Sequence, residues 1–135
     1  MDRLDELKER FSREPYAKTI GASLVSLGNG TAVLEMTAGP GLMIVGDIAQ
    51  GGAIGSLADY AGVYAAMTLI PKDHTPAVTI ITQLHRPVLL GEKVFATATV
   101  VNESRTSFFV LAEVRGEDGK LKASASVYFF KPKQT

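Results

Sequence analysis

The stretch from Gln50 to Ile70 constrains this chain more than any other. It opens on Gln50-Gly51-Gly52, is apolar on nearly every side, is rich in Ala and Gly, and carries one charge, Asp59. Its spacing predicts about five turns of helix, closed by Pro71-Lys72-Asp73. A helix without a wet face is either buried in a protein or set in a membrane. Asp59 argues against the membrane, because a carboxylate mid-span costs roughly 2.5–3.5 kcal/mol even on a lenient scale. Its four glycines also weaken an isolated helix, by about 1 kcal/mol each in an interior position. The helix is therefore predicted to be buried, and the rest of the chain must cover it.

Outside this segment the hydrophobic period shortens to two. Ala22–Leu27 and Thr31–Thr37 are strand-like, with Gly28-Asn29-Gly30 as the turn between them. Residues 38–46 form a loop containing Gly39, Pro40 and Gly41. Beyond the helix, Ala77–Leu84, Glu92–Glu103, Ser107–Arg115 and Leu121–Phe130 predict four more strands. The last two flank Gly116–Lys120, where Asp118-Gly119 is a hairpin signal. Residues 2–13 predict a short amphipathic helix with Leu4, Leu7 and Phe11 on one face and Asp2 as its N-cap. Glu14-Pro15 ends it, since the residue before proline avoids the helical region.

The order is helix, two strands, long helix, four strands. Hairpins without repeated strand–helix alternation imply an antiparallel sheet of the α+β class. No repeat or second domain is visible, so residues 1–135 read as a single domain. About six strands have one face to cover, and only the 50–70 helix is large enough to cover it. The sheet is expected to curl around that helix, with Val94, Ala96, Ala98 and Val100 on its inner face. A curled sheet with an uncovered edge and helix flank implies a homo-oligomer built on dimers, most simply a tetramer.

Composition removes several functions. The 14 basic and 14 acidic residues balance to zero, which argues against a nucleic-acid partner. There is no cysteine, hence no disulfide, thiolate nucleophile or Cys-based metal site. His74 and His85 are too few for a His-rich metal centre and read as surface or strand residues. The opening residues Met1 to Glu6 are charged and do not resemble a secretion signal. A cytoplasmic protein without metal or cofactor is expected.

Two features point to chemistry. Gly51 and Gly52 stand where a helix leaves backbone N–H groups unsatisfied and its dipole is positive. Without side chains, a ligand oxygen can approach them closely, an oxyanion hole in outline. Asp59 lies about two turns further on. A carboxylate beside an apolar cleft is desolvated, which raises its pKa and suits it to act as a base. The alternative for Asp59 is a structural pairing with Ser56, three residues earlier. Ser56 is otherwise a candidate substrate contact, and it has no nearby His with which to form a triad. Thr79 and Thr82 are candidate cleft residues, although Thr is common in strands. Among the scattered cations Lys72, Arg86, Lys93, Arg105, Lys131 and Lys133, Arg86 and Arg105 are the first candidates to meet a polyanionic ligand.

The run from Gln50 to Asp59 resembles the signature of the PaaI-type hotdog-fold acyl-CoA thioesterases. In that family a His or Gln before Gly-Gly opens the central helix, and an acidic residue follows nine positions later; here Gln50 plus nine is Asp59. Arg86-Pro87 with Gly91-Glu92 resembles the family's link into its long strand. Asp118-Gly119-Lys120 followed by Ala123 resembles its final hairpin. The likeness covers nearly the whole chain.

The resemblance implies a hotdog fold and hydrolysis of an acyl-CoA thioester, without metal or cofactor. Asp59 would match the carboxylate that activates water or attacks the thioester. The N–H of Gly51, with Gly52 beside it, would match the donor to the thioester carbonyl, and Gln50 the residue that orients that end. The family's sites form across a dimer interface. Two positions depart from its pattern. Many members carry Asn six residues before the His/Gln, where this chain has Ile44. Many carry Gly three residues before it, where this chain has Asp47. These two departures, Ile44 and Asp47, make a non-catalytic acyl-CoA-binding module the alternative reading.

Overall fold

The computed structural model describes residues 2–71 and 77–132; Lys72, Asp73, His74 and Lys133 lie outside the described residues. Six strands form one antiparallel sheet: β1 (Ala22–Gly28), β2 (Thr31–Thr37), β3 (Ala77–Leu84), β4 (Lys93–Glu103), β5 (Ser107–Gly116) and β6 (Leu121–Phe130). Their order across the sheet is β1-β2-β4-β5-β6-β3. Three helices accompany them: α1 (Arg3–Phe11), α2 (Pro15–Ile20) and α3 (Gly51–Met67). The chain leaves β2 near one edge, crosses the inner face as α3 and re-enters at the other edge as β3. This is the curled sheet around a long central helix that the sequence predicts, the hotdog arrangement.

The small residues of α3 let it sit close to the sheet. At Gly62 a Cβ would already touch Val127 Cγ2 at 3.4 Å. Ile54, Leu57, Ala58, Ala61, Tyr64 and Ala65 of α3 are buried against Leu34, Met36, Val94, Ala96, Ala98, Val110 and Val127 of the sheet. Burying a side chain such as Leu57 contributes about 1.5–3 kcal/mol, and Leu57→Ala would cost about 2–5 kcal/mol. Val94, Ala96 and Ala98 face inward as expected, with Val100 partly buried at the end of the row.

The N-terminal helix begins as predicted, with the Asp2 carboxylate accepting from Asp5 N–H at 2.8 Å. The sequence does not predict α2. Pro15 both stops α1 and starts α2 at the position where a proline's missing N–H costs nothing. Gly21 then ends α2 in the left-handed region, at φ 75°. The long helix stops at Met67, three residues early. Thr68 Oγ1 donates to the Ala65 carbonyl at 2.7 Å and accepts from Gly30 N–H at 2.8 Å, tying the helix end to the β1–β2 turn.

Both edge strands carry a register irregularity, β1 between Leu24 and Ser26 and β3 between Ala77 and Thr79. β3 leaves Val78, Ile80, Ile81 and Leu84 between 44% and 59% exposed. No helix of the described residues is long and apolar enough to cross a membrane.

Candidate active site

The chain enters α3 through a small reversal. Met43 pairs with Ala49, Ile44 N–H donates to the Ile48 carbonyl at 2.8 Å, and Gln50 N–H to the Leu42 carbonyl at 2.8 Å. Gly46 and Asp47 make the turn at φ 107° and 61°; Asp47 is the one non-glycine residue at positive φ among the described residues. Asp tolerates this conformation better than most side chains. Asp47 thus adopts a backbone shape that glycine would also take. Ile44, at the family's Asn position, is half exposed.

The first turn of α3 is held at Gly52. Gln50 caps the helix, its Oε1 accepting from Gly52 N–H. Ser56 Oγ donates to the Gly52 carbonyl at 2.8 Å. Gly52 N–H, expected as a second donor, is therefore already engaged. Gly51 N–H has no acceptor among the described residues, and no acidic side chain in the first turn offsets the positive end of the dipole. Leu84 of β3 lies directly against Gly51.

Asp59 shares a helix face with Gly55 and Gly62, which are four residues before and three after it. Gly55 faces Thr82 Oγ1, 3.3 Å from where a Cβ would stand, and Gly62 faces Val127 and Phe129. Asp59 is partly buried, and no described side chain pairs with it. Burial alone pushes its carboxyl above the ordinary carboxylate range. The structural alternative, a pairing with Ser56, is not formed: that hydroxyl meets Gly52 and the Tyr16 phenol instead.

Gly51 and Asp59 are eight residues apart on one helix. At 1.5 Å per residue that is about 12 Å along the axis, with the two directions turned by roughly 80°. One carbonyl group cannot lie within about 3 Å of both.

The other candidates divide by position. Thr82 faces α3 at Gly55. Thr79 pairs with the exposed Tyr128, on the outer face; residues three apart in a strand point to opposite sides. Arg86 follows Leu84 by two residues at the Gly51 end, where one guanidinium N–H donates to the Leu121 carbonyl at 2.9 Å. Arg105 lies in the β4–β5 turn at the opposite end of the sheet. His85 Nε2 meets Ser124 Oγ at 2.8 Å. Two residues the sequence did not single out, Leu84 and Tyr16, touch the helix entrance. Only the proline at position 15, as a helix start, could have pointed to Tyr16.

A family model described as Thioesterase superfamily matches residues 46–123. A single-residue variant of the phenylacetic acid degradation protein PaaI of Thermus thermophilus is 29% identical, with 88% of this chain and 100% of that one covered and a TM-score of 0.83. The PaaI protein of the E. coli phenylacetic acid degradation operon is 22% identical, with 99% of each chain covered and a TM-score of 0.89. A thioesterase of Haemophilus influenzae is also 22% identical, with 96% of this chain and 90% of that one covered and a TM-score of 0.84. At 22% identity these last two speak for the fold. The family match spans all of α3 and strands β3 to β5, and with it the chain belongs to the thioesterase superfamily, as a PaaI-type hotdog protein.

Proposed function

We propose that this chain hydrolyses acyl-CoA thioesters at a site made by two copies of itself. The observation that carries the reading is Asp59, a carboxylate without a described partner, desolvated on an otherwise apolar helix. Membership of the thioesterase superfamily supports thioester hydrolysis as the reaction class.

The thioester carbonyl oxygen accepts from Gly51 N–H at the positive end of α3, with Gln50 orienting that end. Asp59 takes a proton from water, and the water oxygen bonds to the carbonyl carbon. The C–S bond then breaks, the coenzyme A thiolate leaves and is protonated, and the free acid remains. Direct attack by the Asp59 carboxylate is the variant of this step.

The separation of about 12 Å between Gly51 and Asp59 along one helix supports a site in which Asp59 comes from a second copy. The bare, apolar β3 edge supports a dimer in which two sheets join there. Phe109, Leu111, Tyr128 and Phe130, exposed on the outer sheet face, support a further contact between dimers. Thr82 lines the cleft, and Arg86 meets the coenzyme A phosphates from the Gly51 end. Arg105 reaches the same ligand only from the partner copy. The cytoplasm is the proposed location.

A panel of acyl-CoA esters, read by thiol release, tests this. Hydrolysis that disappears in Asp59→Asn supports it. The competing reading, a non-catalytic binder, draws on Ile44 in place of the family's Asn. Acyl-CoA binding without turnover in the wild-type chain would establish that reading instead.

A further inference from the structure

Tyr16 and Ser56 are forty residues apart in sequence, yet the Tyr16 phenol oxygen lies 3.2 Å from Ser56 Oγ. Ser56 also donates to the Gly52 carbonyl at 2.8 Å. A serine hydroxyl has one proton. That proton is directed at Gly52, so Tyr16 is the donor to Ser56. The chain runs from Tyr16 O–H to Ser56 Oγ, and from Ser56 O–H to the Gly52 carbonyl.

Gly52 is thereby gripped on both sides. Its N–H is held by Gln50 Oε1 and its carbonyl by Ser56. The first grip fixes the peptide unit between Gly51 and Gly52, the second the unit after it; the Gly51 N–H lies on the unit just before, whose Gln50 carbonyl accepts from Ala53 N–H at 3.0 Å. Two consecutive glycines would otherwise be the freest backbone in the helix. The Tyr16 ring stacks on the Tyr60 ring, with centroids 6.3 Å apart and planes at 30°. Two residues earlier in the chain, Glu14 accepts from the Tyr64 phenol at 3.0 Å. The short helix α2 is thus anchored to α3 at both Tyr64 and Ser56.

We propose that Tyr16 and Ser56 are positioning residues that hold the Gly51 N–H in register for the thioester carbonyl, with α2 as an external brace on the first turn of α3. This rests on the reading of Gly51 as the carbonyl donor. A donor contributes most when it is already aimed before charge develops, and a displacement of about 1 Å can cost on the order of 10²-fold in rate. The brace acts through Gly52 and does not touch the substrate.

The test uses the full chain with Tyr16→Phe, Ser56→Ala and Ser56→Thr. Tyr16→Phe keeps the ring on Tyr60 and removes only the donor, so it folds even if Ser56→Ala does not. The expected result is a fall of about tenfold in kcat, with KM within about twofold, and amide hydrogen exchange that is faster at Gly52 through Ser56. Ser56→Thr restores the wild-type rate. A raised KM at unchanged kcat would show that Tyr16 contacts substrate, and would overturn the proposal. So would wild-type exchange in both Tyr16→Phe and Ser56→Ala. If the wild-type chain hydrolyses no thioester, the thioesterase reading falls and exchange alone decides on the brace: faster exchange sustains it, unchanged exchange refutes it.

Discussion

Leu84 of β3 covers Gly51 of α3 so closely that a Cβ there would stand 2.5 Å from Leu84 Cδ1. The contact joins the edge strand to the proposed carbonyl donor. The near atom is the tip of a flexible side chain, which shifts to admit a Cβ at Gly51. Gly51→Ala should therefore fold with little change in stability, since Ala also gains up to about 1 kcal/mol of helix propensity. Thioester hydrolysis should fall by about tenfold or more, because the new methyl group and the displaced Leu84 crowd the Gly51 N–H. A melting curve and a rate on the same preparation check both halves.

Asp59→Asn should lower hydrolysis by about 10²–10⁴, the usual cost of removing a general base, while the fold survives. Its stability should also depend on pH. The Asp59 carboxyl titrates higher in the folded chain than in the unfolded one. Between those two pKa values the folded state holds more protons, so stability falls as pH rises from the ordinary Asp value through the raised one. The asparagine variant lacks this loss. The stability gap in its favour should open from about pH 4 upward and level off above the raised pKa. The acid limb of the rate profile should lie above the ordinary carboxylate range. A gap that stays constant with pH would contradict the assignment.

Ile80→Lys places a charge on the bare edge strand, a substitution that blocks strand pairing between copies. Light scattering should show a mass half that of the wild-type assembly, with circular dichroism unchanged and hydrolysis lost. Loss of activity in a protein that still has the wild-type mass would separate the site from the edge.

Asp47→Gly tests whether the turn before α3 needs only its backbone shape. At φ 61°, glycine is at least as comfortable as Asp. Hydrolysis should stay within about twofold of wild type. A large change would mean that the Asp47 carboxylate itself takes part.

Much of the architecture was legible because two periods are so distinct. The all-round apolar run at 50–70 had to be buried, and the strands followed from their alternation. Gln50-Gly51-Gly52 and Asp59 stood out because glycine pairs and a lone carboxylate have no ordinary place in a core helix. The short helix α2 was not legible: six residues are under two turns, and Pro15 reads equally as an end or a beginning. Strand order was not legible either, since nothing in Ala77–Leu84 says that β3 lies at an edge. The pairing of Tyr16 with Ser56 depends on tertiary contact. Thr79 and Thr82, by contrast, could have been separated by their odd spacing alone.

Mixing two inactive variants tests the composite site most directly. Asp59→Asn keeps the Gly51 donor, and Gly51→Val keeps the Asp59 base. If each site takes Gly51 from one copy and Asp59 from the other, a mixed dimer rebuilds one intact site. With random exchange, half of the dimers are mixed and each has one of two sites working, so activity should recover to about a quarter of wild type. If Gly51 and Asp59 act within one chain, no mixed dimer contains a working site, and the mixture should stay as inactive as either variant alone.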